Sequence, residues 1–432
     1  MVLPEEIETL PMCKVFQELV HECATVQFGR LITGVERAFC RARGDPIDYW
    51  IYHPDPWHLP PEEIERERLV AIRYAFRHHY EDCPGYRTLC DDARVTPGDI
   101  VTSEDLIKIP MIPQTFFKEH MLLSVPEEDI KAVVSTSGTS SGNPSRLPKD
   151  YLTLKRLGSI SWRVFWTVFE DLRYVGLFAP PPSEVSLYMT IGNMAGPFLG
   201  YLTENYIHDE KFSPQQTFER WRYVKERGWT PVVLNSFHFF LKKMMDYSAE
   251  TGERPPIRGS DISVVVPMGG WKRLKGEAVP KKEFQAMLAN YFEIPLERVR
   301  DLWAFGECAI LAGECKRHYM HIDPVCKMTI RDPHNPDEEC EVEETGLVGV
   351  YDPATNSYPA FVISDDMARI LDVECDCGLT APIMEFMGRA PKSEQRSCGL
   401  KMEQTVEVVE TKEMQERFDR LGAKIMYEDI TH

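Results

Sequence analysis

Five short stretches of this 432-residue chain carry residue types that could handle a nucleotide. The first is Ser135-Thr136-Ser137-Gly138-Thr139-Ser140-Ser141-Gly142-Asn143-Pro144-Ser145-Arg146, directly after the apolar run Ala132-Val133-Val134. Glycines let a backbone approach closely, and main-chain N–H groups and hydroxyls donate to phosphate oxygens. A strand that runs into such a loop can therefore wrap a polyphosphate. Gly269-Gly270-Trp271-Lys272 follows an apolar stretch and offers bare backbone to a flat base. Trp303-Ala304-Phe305-Gly306-Glu307 supplies an aromatic ring to stack on adenine and a carboxylate to hold Mg²⁺. Ser364-Asp365-Asp366 offers carboxylates to two ribose hydroxyls, and Gly388-Arg389 a guanidinium that forks onto ribose or phosphate oxygens. Each stretch alone is a weak signal; together, in this order, they predict an ATP site with Mg²⁺.

A further group reads as metal ligands. Cys315 and His321 are separated by five residues, and Cys375 and Cys377 form a C-x-C later in the chain. Two pairs of soft ligands fit a tetrahedral Cys₃His zinc site with no open position, hence a structural one. Such a site would tie the segment after Glu307 to the segment before Arg389. His318 is the first alternative ligand, with Cys308, Cys326 and Cys340 also near. Gly138-Thr139-Ser140-Ser141-Gly142 also fits the G-x-S-x-G pattern of a hydrolase nucleophile elbow. That elbow needs a helix directly after the serine, which Asn143-Pro144 and Pro148 break.

The elements that must position these residues alternate. Lys14–Phe39 and Glu62–His79 have helical spacing of apolar residues, and prolines from Pro54 to Pro97 punctuate this region. Strands are predicted at Ile130–Val134, Val185–Ile191, Pro231–Asn235 and Ile262–Val266. Helices are predicted at Leu152–Phe169, Phe218–Arg227, Phe239–Ser248 and Pro280–Phe292. From Glu341 onward short strands and turns dominate, with a last helix at Gln415–Leu421. This alternation predicts an α/β layered fold. The divisions are a helical N-terminal region at 1–125, an α/β domain at 126–390 and a short C-terminal subdomain at 391–432.

Composition narrows the function. The net charge of −19 argues against a nucleic-acid or anionic-membrane surface, so ATP needs a local positive pocket. Glu5, Glu6, Glu8 and Glu18 interrupt the N-terminus, which argues against a signal peptide, and no segment is apolar over a membrane's thickness. Twelve cysteines without a secretion signal suggest a reducing compartment, and a cytoplasmic location is expected.

The order and spacing of the five stretches resemble the adenylate-forming superfamily over roughly residues 80 to 400. Within it the chain looks most like the acyl-protein synthetases of bacterial luminescence systems, with phenylacetate–CoA ligase as the next relative. Gly-Gly-Trp-Lys at 269–272 and Ser-Cys-Gly-Leu at 397–400 favour the synthetase branch. The resemblance implies two steps: a carboxylate attacks the α-phosphate of ATP, giving an acyl-adenylate and pyrophosphate, and a thiol or other nucleophile then takes the acyl group.

It assigns Ser137, Gly138, Thr139 and Ser140 to the phosphate loop, Gly269 and Gly270 to the adenine wall, and Phe305 with Gly306 to the base. Glu307 is assigned to Mg²⁺ and Arg389 to the ribose or phosphates. Asp366 matches the ribose-binding aspartate; Asp365 stands where the family has glycine, so both are candidates for the ribose contact. The loop carries one extra serine, Ser140 or Ser141. Its usual lysine is missing, and Arg146 or Lys149 would serve instead. Relatives of phenylacetate–CoA ligase carry zinc in the position of Cys315, His321, Cys375 and Cys377.

Luminescence synthetases load a cysteine near the C-terminus, which points here to Cys398, with Arg396 and Lys401 favouring its thiolate. Only 43 residues follow Arg389, fewer than a full lid, and Lys424 is the candidate for the lid lysine. Phe237, Phe239, Phe240 and Leu241 are candidates for the acid pocket, with His238 as a polar gate. The acid is fatty or aryl, and the implied partner is a reductase or acyltransferase. A homo-oligomer is compatible with the sequence. The alternatives are an acid–CoA ligase, a ligase that passes the adenylate to an amine or hydroxyl, and a non-catalytic nucleotide-binding partner.

Overall fold

A computed structural model describes residues 44–135, 145–170, 176–178, 203–205, 207–208, 211–228, 230–268, 278–390 and 422–423. Helix α1 (Pro46–Ile51) begins where Asp45 accepts the N–H groups of Ile47 and Asp48, at 2.9 and 3.0 Å, and proline takes the first helical position. Helix α2 (Pro61–Asp82) also opens on proline, with Glu62 and Glu63 at its positive end. It buries Ile64, Ala71, Ile72, Ala75 and Phe76 as one stripe. Helix α3 (Pro84–Asp92) follows, then short 3₁₀ turns and the two-residue strand β1 (Ile112–Pro113).

Strands β2 (Ile130–Ser135) and β3 (Arg146–Asp150) pair antiparallel across the phosphate-loop stretch. Asp150 ends β3 and caps α4 (Tyr151–Val168) by accepting the Thr153 N–H at 3.0 Å. Next come β4 (Gly176–Phe178), β5 (Thr203–Asn205) and a ribbon of β6 (Ile207–His208) and β7 (Lys211–Phe212). Then follow α5 (Pro214–Glu226), β8 (Val232–Phe237), α6 (His238–Thr251), β9 (Ile262–Met268) and α7 (Lys281–Phe292).

Strands β4, β5, β8 and β9 form a parallel sheet in the order β5-β4-β8-β9. Its alternation is resolved by burial on both faces. Val232, Leu234 and Val265 enter a core with α5, α6 and α7, whereas Val233, Val264 and Val266 enter the core that holds α4 and the larger sheet.

That larger sheet has eight strands. Strands β10 (Leu302–Ala304), β11 (Leu311–Glu314), β12 (Met320–Ile322), β13 (Lys327–Arg331), β14 (Gly346–Tyr351), β15 (Phe361–Leu371) and β16 (Ile383–Arg389) run in the order β10-β11-β12-β16-β15-β14-β13, with β1 parallel to β15. A last strand, β17 (Gly422–Ala423), pairs parallel with β2.

Alternating strands and helices in layers establish the α/β class. Every strand and helix predicted between Glu62 and Phe292 that falls within the described residues is present within a few residues of its expected ends. Two expectations are corrected. Strands begin at Leu302 rather than near Glu341, because β10 to β13 are short and buried nearly throughout and so show no alternation. The helical N-terminal region also contributes a strand, β1, to the large sheet, and α1 to α3 share that sheet's core. The predicted elements Lys14–Phe39, Val185–Ile191 and Gln415–Leu421 lie outside the described residues.

Candidate active site

Glu307 sits in the turn after β10 and is 1% exposed. Ser145 Oγ donates to its Oε1 at 2.8 Å and Gln114 Nε2 to its Oε2 at 2.9 Å. Both donors are neutral, and among the described residues no cation forms an ion pair with this carboxylate. Burial therefore holds its pKa above the ordinary value, with the two hydrogen bonds and more distant Lys149 opposing. A buried carboxylate with spare lone pairs and no counter-charge is an oxygen ligand suited to a hard divalent cation.

Strands β15 and β16 bring the next pair together. Their register sets Asp366 opposite Arg389, and Arg389 Nε lies 3.3 Å from Asp366 Oδ1. Trp303 Nε1 donates to Asp366 Oδ2 at 3.1 Å. Phe305 lies edge-on to Trp303, with centroids 5.5 Å apart. Asp366 is thus tied directly to the aromatic stretch that ends in Glu307. Burial raises the pKa of Asp366, and Arg389 pulls it back; Asp365 is raised likewise, with Lys118 and Arg389 opposing. Gly388 has φ +113°, a conformation open to glycine, where the β15–β16 register shifts. Ser145 and Trp303 lie in two of the stretches read from the sequence, though not for these contacts, whereas Gln114 lies in none of them, since a lone neutral amide carries no motif.

The phosphate-loop residues Ser137, Gly138, Thr139 and Ser140 lie outside the described residues, as do Gly269, Gly270, Cys398 and Lys424. Their flanks are described. Strands β2 and β3 enter and leave the loop, with Ser135 opposite Arg146, and β9 ends directly before Gly269. Strand β17 runs beside Val133 and Val134 and ends at the residue before Lys424. Of the two cations weighed for the loop, Arg146 stands at the loop's end of β3. Lys149 is instead fully buried. Its ammonium donates to Tyr358 Oη at 2.6 Å and lies over the Tyr358 ring, and Tyr358 Oη donates to the main-chain carbonyl of Glu307 at 3.0 Å. Burial pushes Lys149 down to about 8, with Asp352, Cys308, Glu307 and Asp150 opposing.

Cys315, His321, Cys375 and Cys377 converge, with one ligand atom of each within 4.8 Å of all the others. Cys315 and Cys375 sulfurs are 3.7 Å apart, and Cys377 Sγ lies 3.3 Å from His321 Nε2. A tetrahedron with Zn–S bonds of about 2.3 Å has sulfurs about 3.8 Å apart, so the donor set fits zinc. His321 Nδ1 lies 3.0 Å from the Ala381 carbonyl, which turns Nε2 toward the cluster. The alternative ligands lie apart from it: His318 faces Glu314, Cys326 contacts Asp352 and Cys308 contacts the Ala360 carbonyl.

Phe237 and His238 stand at the junction of β8 and α6, where Phe237 pairs with Met268 just before Gly269. His238 stacks on Phe284 at 4.8 Å, and Phe240 and Leu241 belong to the core around α5 to α7. Directly before Phe237 in β8, Asn235 Oδ1 and Ser236 Oγ are buried without a hydrogen-bond partner among the described residues.

The acyl-protein synthetase, LuxE, profile matches residues 42–407. The chain belongs to that family. The long-chain-fatty-acid–luciferin-component ligase of Vibrio harveyi is 24% identical over 355 residues, covering 81% of this chain and 90% of its own. The phenylacetate-coenzyme A ligase of Thermus thermophilus is 33% identical over 98 residues, 22% of each chain. A solved structure of 2-hydroxyisobutyryl-CoA ligase in complex with its acyl-adenylate shares the fold, with a TM-score of 0.61 over 78% of this chain and 70% of its own at 16% identity. As an acyl-protein synthetase, the chain is an adenylate-forming ligase: it activates a carboxylic acid with ATP and transfers the acyl group.

Proposed function

We propose that this synthetase activates a long-chain fatty acid and carries the acyl group on its own Cys398 before handing it to a reductase or acyltransferase. The observation that carries the site is the joining of Glu307, Trp303, Asp366 and Arg389 into one contact network through Gln114, β15 and β16. The fatty acid rests on the long-chain fatty acid for which the Vibrio harveyi and Aliivibrio fischeri relatives are named. In this reading Glu307 holds Mg²⁺, which screens the triphosphate charge. Phe305 and Gly306 meet the base against Gly269 and Gly270, and Asp366 takes the ribose hydroxyls. Arg389 forks onto ribose or phosphate. The loop Ser137–Ser140 and Arg146 hold the phosphates.

A carboxylate oxygen of the acid attacks the α-phosphorus, the bond to the bridging oxygen breaks, and pyrophosphate leaves. The Cys398 thiolate then attacks the acyl carbon and AMP leaves. Lys424 stabilises charge on the phosphate in the first step; the seating of β17 beside the loop's entry strand supports this. The acid lies at the carboxyl ends of the parallel strands, by Phe237 and His238, where open α/β sheets take ligands. The unpartnered Asn235 supports a polar contact there.

Zinc at Cys315, His321, Cys375 and Cys377 is structural. No disulfide joins the described cysteines, which supports a cytoplasmic location. No described helix is long and apolar enough to cross a membrane. Labelled fatty acid with ATP is expected to leave a hydroxylamine-sensitive label on the protein. Cys398→Ala should lose that label while still exchanging pyrophosphate into ATP. A label that persists in Cys398→Ala would place the thioester on another residue.

A further inference from the structure

We infer that Gln114 is a positioning residue that couples the Glu307 carboxylate to the strand bearing Asp366, so that the N-terminal region completes the nucleotide site. The inference rests on the reading of Glu307 as the Mg²⁺ carboxylate and Asp366 as the ribose carboxylate.

Its placement follows from the chain. Strand β1 pairs parallel with β15, Ile112 beside Val362 and Pro113 beside Ile363. The next residue along, Gln114, therefore starts its 3₁₀ turn level with Ser364. From there one carboxamide makes two bonds in opposite directions. Nε2 donates to Glu307 Oε2 at 2.9 Å, and Oε1 accepts the Asp365 N–H at 3.1 Å. An amide is the group this position requires, because one partner is an acceptor and the other a donor. The two partners lie 58 residues apart in the chain, and Gln114 bonds to both.

The remaining supports of Glu307 come from elsewhere. Ser145 holds the other oxygen from the loop's end, and Tyr358 holds the main-chain carbonyl. Gln114 also touches β15, through the Asp365 N–H. Outer-shell partners of this kind orient a ligand oxygen, and losing one weakens metal affinity by about ten- to a hundredfold. Because the second bond falls on the residue before Asp366, loss of Gln114 should also loosen ribose recognition.

The test uses the full chain and Gln114→Met, which removes both bonds at similar volume without adding charge. Calorimetric titration with ATP, with and without Mg²⁺, and with 2′-deoxy-ATP reads the two arms separately from turnover. The expected result is an Mg²⁺ enhancement of ATP affinity reduced about tenfold and a weaker preference for ATP over 2′-deoxy-ATP. Affinity for metal-free 2′-deoxy-ATP should stay within about twofold. Equal weakening toward all three ligands would mean a packing defect and would overturn the inference, as would wild-type values in the folded variant.

Should Gln114→Met fail to fold, Gln114→Glu decides. It keeps an acceptor for Asp365 but sets a carboxylate against Glu307, so the Mg²⁺ arm should fail while ribose preference stays. Wild-type Mg²⁺ enhancement in that variant overturns the inference. Glu307→Gln in the same titration separates the two readings. If it keeps the Mg²⁺ enhancement, the assignment of Glu307 is wrong and the metal arm for Gln114 falls with it. If it loses the enhancement and the Gln114 variants keep theirs, the coupling alone is wrong.

Discussion

Lys149 is the most costly side chain near the site. Its ammonium is fully buried, with one tyrosine hydroxyl and the ring beneath it as direct partners. A packed apolar side chain of similar length would be cheaper there. The lysine pKa is about 8 in the folded chain against 10.5 ordinarily. Below pH 8 both folded and unfolded chains hold the proton, and the burial penalty is complete. Between these two values only the unfolded chain stays protonated, so this group makes stability rise with pH. Lys149→Met is therefore expected to be more stable than the parent at pH 7 by about 1–3 kcal/mol, an advantage that shrinks toward pH 10. Denaturant melts at pH 7 and 9.5 read this directly, and an advantage of constant size would contradict it. The same variant should lose activity, since Tyr358 then supports the Glu307 carbonyl without the cation that fixes its hydroxyl.

Among the elements, β11, β12 and the turn before β16 form the frame that zinc would close. Cys315 directly follows β11, His321 lies within β12, and Cys375 and Cys377 lie in the turn that leads back into β16. Strand β16 ends in Gly388-Arg389, so this frame sits upstream of the guanidinium that meets Asp366. The purified chain is expected to carry about one zinc per chain. Chelation or Cys377→Ser should lower Tm by more than about 5 °C. A metal-free preparation of unchanged Tm would remove zinc from the account.

This frame also marks how far the sequence could be read. The clustering of Cys315, His321, Cys375 and Cys377 was legible because soft donors in such pairs have few other uses. Strands β8 and β9 were legible from β-branched runs, and α7 from its leading proline. Strands β10 to β13 were not, because three to five buried residues have no period to detect. Phe305, Glu307, Asp366 and Arg389 were legible from order and spacing, and the structure adds their contacts. Gln114, Ser145 and Tyr358 were not, since their roles arise from strand pairing and chain return over long separations, which no local window contains.

At the scale of the whole molecule, a chain of net charge −19 gathers cations around the proposed nucleotide site. Arg389 pairs with Asp366, Arg146 follows the hydroxyl-rich loop stretch, and Lys149 meets Tyr358, which donates to the Glu307 main-chain carbonyl. The N-terminal region and the eight-stranded sheet both reach this place: β1 through Gln114, and β10 with β15 and β16 through the carboxylates and the guanidinium. The central claim is that this shared site makes an acyl-adenylate. The most direct test is carboxylate-dependent ATP–pyrophosphate exchange across fatty and aryl acids, run with the parent chain and Glu307→Gln. The account predicts exchange with long-chain fatty acids in the presence of Mg²⁺, and at least a hundredfold less with Glu307→Gln at unchanged Tm. Exchange with no acid in protein that binds ATP, or full exchange with Glu307→Gln, would contradict it.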